Sequence, residues 1–162
     1  MILKHKCIPE GKTGHEVGRE LLEELYREYI GGPMPAIATE PLGKPYFMNS
    51  DVHFSITHTK NHAFCVLAKR PIGIDAEELT RKVNPLLAAK ILSLKEKEQY
   101  DKAEEKNKAL ITFWVLKEAA GKRTGEGVQG YPNHTDFLLS DPRVQEMEDC
   151  LVAVIRSEDY VV

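Results

Sequence analysis

Residues 113–122 read FWVLKEAAGK, and this stretch contains both an apolar pattern typical of a core helix and charged residues that suggest a site. It lies in a predicted helix over about 106–123 that ends at a glycine-rich segment. At 100° per residue, Trp114, Glu118 and Lys122 form one stripe at i, i+4 spacing beside an apolar line. Because the apolar line faces the core, Glu118 and Lys122 are expected at the edge of the core.

Residues 73–77 read GIDAE and provide the second part of the site. The two-residue period of a strand places Asp75 and Glu77 on one face, about 7 Å apart. Two carboxylates at that spacing repel unless water, a basic group or a cation lies between them. Magnesium prefers oxygen ligands, so the pattern favours a divalent cation there, with Glu118 approaching as a third ligand.

Each of these patterns also has an ordinary structural explanation. A DxE sequence at a strand end is usually a solvated edge, and a Glu118–Lys122 pair is usually a helix-face ion pair worth a few tenths of a kcal/mol. Their occurrence in this order, after GKP at 43–45 and FSITHT at 54–59, favours a functional interpretation.

Composition excludes several classes of protein. The 162 residues, 42% of them hydrophobic, are enough for one core or for two small packed halves. A formal net charge of -3 gives no global attraction for nucleic acid or an anionic membrane. Three widely spaced cysteines indicate neither a disulfide framework nor a zinc knuckle. No apolar run approaches a membrane span and no secretory signal pattern opens the chain, which predicts a cytoplasmic protein without nucleic-acid or membrane partners.

The segments around the two motifs predict an α+β chain. Alternation predicts a strand over residues 2–8, and a capping box of Thr13 and Glu16 begins a helix that ends at 31–33. The proline-rich residues 33–45 predict an irregular loop. The remaining predicted elements are strands at 52–56, 63–68, 72–77, 137–139 and 151–155, and helices opened by Asn84 and Ser93.

Four motifs in series resemble the 4′-phosphopantetheinyl transferase superfamily, in its surfactin-synthetase-activating type. They are GKP at 43–45, FSITHT at 54–59, GIDAE at 73–77 and FWVLKEAAGK at 113–122. None of the four is specific alone, but their order and approximate spacing match the family over about residues 43–127. The segment ILSLKE at 91–96 also resembles a family motif.

The resemblance implies the α+β fold of that family, a single domain over residues 1–162. The fold would consist of two small pseudo-symmetric halves, about 1–70 and about 71–162, with the site between them. Only 42 residues precede the GKP motif, so the N-terminal half is expected to be shortened for this type. A monomer with this pseudo-dimeric organisation is expected.

The resemblance implies roles for the acidic residues and for the lysine that follows them. Asp75, Glu77 and Glu118 would hold Mg²⁺, and Lys122 would bind the phosphates of coenzyme A. Asp75, Glu118 and Lys122 would carry catalysis. The base is either Glu118 itself or a water on the metal, and the sequence leaves both open.

Nucleotide contacts are implied by the resemblance for a second group of residues. Lys44, Thr57 and His58 would contact the nucleotide phosphates, and Pro45 would lie near the adenine. Arg19, on the first predicted helix, is a candidate for the 3′-phosphate.

Three further residues have simple structural interpretations. Glu96 is equally well explained by a capping box, Trp114 by core packing and Lys117 by an acidic neighbour. His58, with His53 and His62, could suggest zinc, but it lies beside a turn, outside helical i, i+4 zinc spacing.

The activity implied by the resemblance is transfer of 4′-phosphopantetheine from coenzyme A to a serine of an acyl or peptidyl carrier protein, releasing adenosine 3′,5′-bisphosphate. The carrier could belong to fatty acid, polyketide or nonribosomal peptide synthesis. A metal-dependent nuclease or phosphohydrolase is an alternative, because carboxylates and a lysine also serve attack by water. A non-catalytic module that binds coenzyme A or a carrier protein is another.

Overall fold

The computed structural model describes residues 1–127 and 136–160 and confirms the predicted α+β fold. None of the helices within those ranges is long and apolar enough to cross a membrane. In chain order the elements are β1 Ile2–Cys7, α1 Gly14–Tyr29, β2 Ile37–Thr39, β3 Pro45–Phe47, β4 His53–His58, β5 His62–Ala68, β6 Ile72–Glu78, a 3₁₀ turn Pro85–Leu87, α2 Ala88–Ile91, α3 Leu94–Lys102, α4 Lys106–Thr124, β7 Val144–Met147, β8 Cys150–Arg156 and a 3₁₀ turn Ser157–Tyr160.

The first sheet is antiparallel and has the strand order β1-β5-β4. Helix α1 covers it, and its capping box is present as predicted: Thr13 Oγ1 accepts from Glu16 N, and Glu16 Oε2 accepts from Thr13 N. The apolar stripe of α1 is buried with Phe54 and other residues of β4 and β5. Burial of this stripe removes apolar surface from water and holds the helix on the sheet.

The second three-stranded sheet has the order β6-β8-β7 and is covered by α4. Eleven of the nineteen residues of α4 are buried, because the helix packs against β6 and β8 along most of its length. A further apolar cluster joins the two sheets, with Phe64 and Val66 of β5 against Ile74 and Val152. The two sheets therefore share a core at β5, β6 and β8.

Strand β6 and helix α4 approach each other unusually closely at one residue. A Cβ atom added to Gly73 would lie 1.9 Å from the backbone oxygen of Ala119, so only glycine is compatible with this contact. Asp75 follows two residues later on β6, and Glu118 precedes Ala119 on α4. The close approach thus places the two predicted motifs side by side.

Two predicted elements differ from the structure, and one strand was not predicted. The loop predicted over 33–45 contains a short hairpin, β2 with β3, and Pro45 is tolerated as the first residue of an edge strand. Residues 137–139 do not form a strand, because side chains of α3 bind their backbone: Phe137 N donates to Glu96 Oε1 and Leu139 N donates to Gln99 Oε1. Strand β7 was not predicted, since its central residues are polar and exposed.

Candidate active site

A cavity of about 630 Å³ lies where α1, β4, β6 and α4 meet. Strand β4 runs beside β6, where Ile74 N donates to Ser55 Oγ at 3.1 Å. One wall consists of acidic residues and Lys122 from β6 and α4, which we call the β6–α4 wall. The other carries basic and hydroxyl side chains from α1 and β4, which we call the α1–β4 wall. The cavity therefore combines anionic and cationic groups.

Asp75 is the most buried charged residue of the β6–α4 wall, with 6% of its surface exposed. Its Oδ1 accepts from Lys122 Nζ at 2.7 Å and from Thr57 Oγ1 at 3.2 Å. Its Oδ2 is buried and has no hydrogen-bond partner in the part of the chain that the structure describes. Burial raises the pKa of Asp75 above its ordinary value, although Lys122 opposes the rise. The negative charge of the Asp75 carboxylate is thus only partly compensated by its neighbours.

Glu77 is held in place by two residues whose roles the sequence did not reveal. Its Oε1 forms an ion pair with Arg81, four residues along the chain, and accepts from Trp114 Nε1 at 3.2 Å. Trp114 packs at the border of the core, as predicted, but its indole nitrogen also orients a predicted metal ligand. Glu77 lies in strand β6 and Arg81 in the turn that follows it, so helical i, i+4 spacing does not apply and the sequence carried no signal for this ion pair.

Glu118 lines the same cavity from α4. Burial is the main reason that the pKa of Glu118 is raised to about 7, and the neighbouring Asp75 carboxylate raises it further. A carboxyl group with a pKa near neutrality can accept and return a proton under physiological conditions. Glu118 therefore has the electrostatic properties of a general base.

The three carboxylates fit a hard divalent cation in their chemistry, but they do not form a closed site. Within residues 1–127 and 136–160, no group of three or more His, Cys, Asp or Glu side chains is arranged to hold a metal ion. Instead, the ammonium group of Lys122 supplies positive charge to Asp75. The unpartnered Oδ2 of Asp75 and the raised pKa of Glu118 both indicate under-compensated negative charge, which an oxygen-preferring cation would relieve.

The α1–β4 wall contains several of the predicted nucleotide contacts. Arg19, Thr57 and His58 line the cavity, and Pro45 borders it from β3. His15, which also lines it, was missed by the sequence reasoning. Its position in the first turn after a capping box, four residues before Arg19, places both on one helix face and was the available signal.

Lys44 is the predicted contact whose side chain lies elsewhere. Its Nζ donates to the backbone oxygen of Arg123, and its side chain lines two neighbouring cavities of about 230 and 450 Å³. Burial, with a contribution from Arg123, lowers the pKa of Lys44. The 630 Å³ cavity is instead lined by Gly43 and Pro45, the two sequence neighbours of Lys44.

Glu96 and Lys117 form an ion pair with no exposed surface on either side chain. Glu96 Oε2 lies 2.8 Å from Lys117 Nζ and also accepts from Ser93 N, so both structural interpretations of Glu96 and Lys117 apply at once. Since Glu96 Oε1 accepts from Phe137 N, one carboxylate links α3, α4 and the segment that follows residue 135.

The three histidines of the zinc alternative do not converge. His58 lines the 630 Å³ cavity, His53 lines the 450 Å³ cavity, and His62 Nε2 lies 3.6 Å from Glu148 Oε2 near the β7–β8 turn. The described histidines therefore do not support the zinc alternative, and the phosphate contact of His58 remains a prediction.

Comparison with known proteins identifies similar sequences. The family profile of the 4′-phosphopantetheinyl transferase superfamily matches residues 71–151, half of the chain. A relative described as 4′-phosphopantetheinyl transferase HetI, from Nostoc sp. (strain PCC 7120), is 32% identical over 132 residues, which are 75% of this chain and 55% of that protein. 4′-Phosphopantetheinyl transferase psf-1 of Bacillus pumilus is 28% identical over 131 residues, 77% of this chain and 56% of that protein. The chain thus spans about half the length of these relatives.

Proposed function

Because the chain belongs to the 4′-phosphopantetheinyl transferase superfamily, we propose that it transfers the 4′-phosphopantetheine group of coenzyme A to a serine of an acyl or peptidyl carrier protein. The observation that supports this most is a single cavity lined by Asp75, Glu118 and Lys122 on one wall and by Arg19 and His58 on the other. A substrate with a diphosphate and a separate phosphate monoester matches these two kinds of wall.

The acidic residues and Lys122 carry the proposed chemistry. Asp75, Glu77 and Glu118 would hold Mg²⁺, which when bound neutralises charge on the diphosphate oxygens. Lys122 donates to the same oxygens and stabilises the charge that develops on the leaving phosphate. Glu118 takes the proton of the attacking serine, directly or through a water. Trp114 and Arg81 keep Glu77 oriented meanwhile.

The reaction balances as a displacement at the β-phosphorus of coenzyme A. A bond forms between the serine oxygen and this phosphorus, and its bond to the bridging oxygen breaks. Adenosine 3′,5′-bisphosphate departs with the bonding electron pair, and the serine proton passes to Glu118. Little covalent work is left to the protein beyond orientation and charge compensation.

The α1–β4 wall is proposed to hold the nucleotide. His15, Arg19 and His58 would donate to its phosphates, with Arg19 directed at the 3′-phosphate, and the Thr57 hydroxyl connects this group to Asp75. Pro45 would lie against the adenine. Lys44 is proposed as a further phosphate contact, which requires exchange of its present bond to Arg123.

The organisation of the working protein is also a proposal. We infer that residues 1–162 act as one monomeric domain, with halves at about 1–70 and about 71–162 that each contribute one wall. The α1–β4 wall and the β6–α4 wall belong to these two halves respectively, which supports the division.

The decisive experiment mixes purified protein, a panel of apo-carrier proteins, coenzyme A and Mg²⁺, and measures intact carrier mass. We expect one phosphopantetheine group to be added to at least one carrier, and we expect chelation of Mg²⁺ to abolish the addition. Binding of coenzyme A or carrier with no mass change would overturn transfer in favour of a binding module. Release of nucleotides from DNA or RNA would favour the hydrolytic alternative.

A further inference from the structure

Helix α1 lies against strand β4 with two glycines in close contact with side chains of the strand. A Cβ atom added to Gly14 would lie 2.3 Å from His58 Cγ, and one added to Gly18 would lie 2.5 Å from Ile56 Cγ2. Non-bonded carbon atoms in contact are about 3.5–4.0 Å apart, so each added methyl group is about 1 Å or more too close. To admit either methyl, the facing side chain of β4 would have to move or helix and strand would have to separate. At Gly14 the added Cβ would also lie 2.8 Å from His58 Cβ, which rotation of the imidazole does not relieve.

The two contacts follow from the periodicities of the two elements. Gly14 and Gly18 are four residues apart and share one face of α1, and Ile56 and His58 are two residues apart on β4. Each glycine of α1 therefore meets one side chain of the strand. The pairing extends over more than one helical turn, so it fixes both the distance and the tilt between α1 and β4.

Each glycine also immediately precedes a residue that lines the active-site cavity. His15 follows Gly14 and Arg19 follows Gly18, while His58 lines the cavity from the strand. Any separation of α1 from β4 therefore moves His15 and Arg19 away from His58. The gap between these cationic or hydrogen-bonding groups is set by the absence of two methyl groups.

Local helix stability alone would favour alanine at Gly18, which lies inside the helix, whereas Gly14 is its first residue. Glycine in a helix interior is less favourable than alanine by about 0.5–1 kcal/mol. The capping box of Thr13 and Glu16 stabilises the same turn, but it places no requirement on Gly14 or Gly18. The close contact with side chains of β4 is the feature of the structure that disfavours alanine.

We propose that Gly14 and Gly18 are positioning residues that hold His15 and Arg19 opposite His58 at the separation needed to enclose a phosphate monoester, so that the site selects coenzyme A over its 3′-dephospho form. This inference rests on the proposed function. A monoester carries more negative charge than a diester and has three free oxygens, so donors from two sides suit it. The β6–α4 wall, rich in carboxylates, suits only a diphosphate accompanied by a cation.

Binding of two nucleotide probes tests the proposal without any carrier protein. Calorimetry compares adenosine 3′,5′-bisphosphate with adenosine 5′-monophosphate for the wild type, Gly14→Ala, Gly18→Ala and Glu23→Ala. Glu23 is exposed on the same helix, so its replacement is the matched control. We expect the wild type and Glu23→Ala to prefer the bisphosphate. Each glycine variant should lose about 10-fold of that preference, with unchanged affinity for the monophosphate.

A compensating variant separates positioning from general damage. Ile56→Ala removes the Cγ2 atom that the new methyl of Gly18→Ala would meet, so the double variant should regain most of the lost preference. Melting curves monitor folding of every variant. If Gly18→Ala does not fold, Gly14→Ala decides alone, because its contact is with the exposed His58 at the helix end. An unchanged preference in a folded glycine variant, or equal loss for both probes, overturns the proposal.

The outcome is distinguishable from failure of the proposed function. A wild type that prefers the bisphosphate but modifies no carrier contradicts transfer and leaves the positioning role intact. A wild type that transfers yet binds both probes equally contradicts the positioning role alone. Ratios of kcat/KM for coenzyme A and 3′-dephospho-coenzyme A then provide a second readout, in which the glycine variants should approach a ratio of one.

Discussion

Lys122 Nζ lies 2.7 Å from Asp75 Oδ1, so a cation carried by the chain itself already sits at the most buried carboxylate of the cavity. A divalent ion that binds Asp75 must compete with this ammonium group. The same lysine is also the residue assigned to the substrate phosphates. If the proposed roles hold, Lys122 is expected to link occupancy of the carboxylates to occupancy of the phosphate position.

Replacing Lys122 with Gln should increase the affinity of the free protein for Mn²⁺ by about 3- to 10-fold, because removal of one nearby positive charge favours another by about 1 kcal/mol. Calorimetry or paramagnetic resonance of bound Mn²⁺ measures this without any turnover. Transfer should nevertheless fall by about 10²-fold, since the phosphate contact is lost. Lys108→Gln, on the exposed side of α4, is the control. Weaker Mn²⁺ binding by Lys122→Gln would refute the competition.

Asp75→Asn should abolish most transfer while the protein remains folded. The amide retains the shape of the carboxylate and can still meet Thr57 and Lys122, but it loses the negative charge needed for a cation. We expect kcat/KM to fall by about 10²-fold or more. Glu146→Gln on exposed β7 provides a charge-matched control. Wild-type turnover by Asp75→Asn would remove Asp75 from the site.

Glu118 should make stability depend on pH in a defined direction. Its folded-state pKa of about 7 exceeds the unfolded value of 4.5, so the folded protein binds this proton more tightly. Stability from this group is fully present below pH 4.5 and is lost as the pH rises through 7. Glu118→Gln should therefore raise Tm at pH 8 by about 2–4 °C, after allowance for partial solvent exposure, and leave Tm nearly unchanged at pH 4.

Differential scanning calorimetry of Glu118→Gln and wild type at both pH values measures this effect, with Mg²⁺ removed by chelation. Glu126→Gln, exposed beyond the end of α4, is the control and should show no pH-dependent difference. A lower Tm for Glu118→Gln at pH 8 would show that the ionised carboxylate stabilises the fold, contrary to the raised pKa.

The buried pair of Glu96 and Lys117 should respond more strongly to single than to double replacement. Glu96→Gln leaves Lys117 charged in a fully buried position, which should destabilise the fold by about 3–5 kcal/mol. Glu96→Gln combined with Lys117→Met removes both charges and should recover a large part of that loss. Denaturant titration gives the free energies of unfolding. Additive losses in the double variant would argue against a coupled pair.

The three thiols should differ sharply in reactivity. Cys7 is exposed, whereas burial raises the pKa of the Cys65 thiol to about 12 and also raises that of Cys150. Because the thiolate is the reactive form, Ellman's reagent at pH 8 should titrate one thiol rapidly in the native protein and three after denaturation. Cys7→Ser should eliminate the rapid phase. A remaining rapid phase would show that the core opens readily.

Much of the site could be predicted because periodic elements carry it. The helical stripe of Glu118 and Lys122 and the strand alternation of Asp75 and Glu77 fix which residues share a face, and the structure brings both faces to one cavity. The capping boxes at Thr13 and Ser93 likewise predicted where two helices begin. The roles of the carboxylates and of Lys122 in metal binding and catalysis remain predictions.

Features that depend on tertiary contacts were missed. Nothing local distinguishes Trp114 as a donor to Glu77, and nothing near Lys44 indicates that its ammonium group turns towards the end of α4. Residues 137–139 have the composition of a strand, yet α3 side chains bind their backbone instead. Long-range hydrogen bonds of this kind override local propensity, and one sequence contains no pattern for them.

The contact between Gly73 and the backbone of Ala119 has a further consequence, for protein engineering. The contact there is between backbone atoms of the two elements. The spacing between β6 and α4 therefore does not depend on which side chains occupy positions 75, 77 and 118. The charged groups could be exchanged as a set, for instance for imidazoles or thiols that prefer softer metals, without repacking the interior. Strand β6 and helix α4 are in this sense a scaffold on which different metal-binding side chains can be placed.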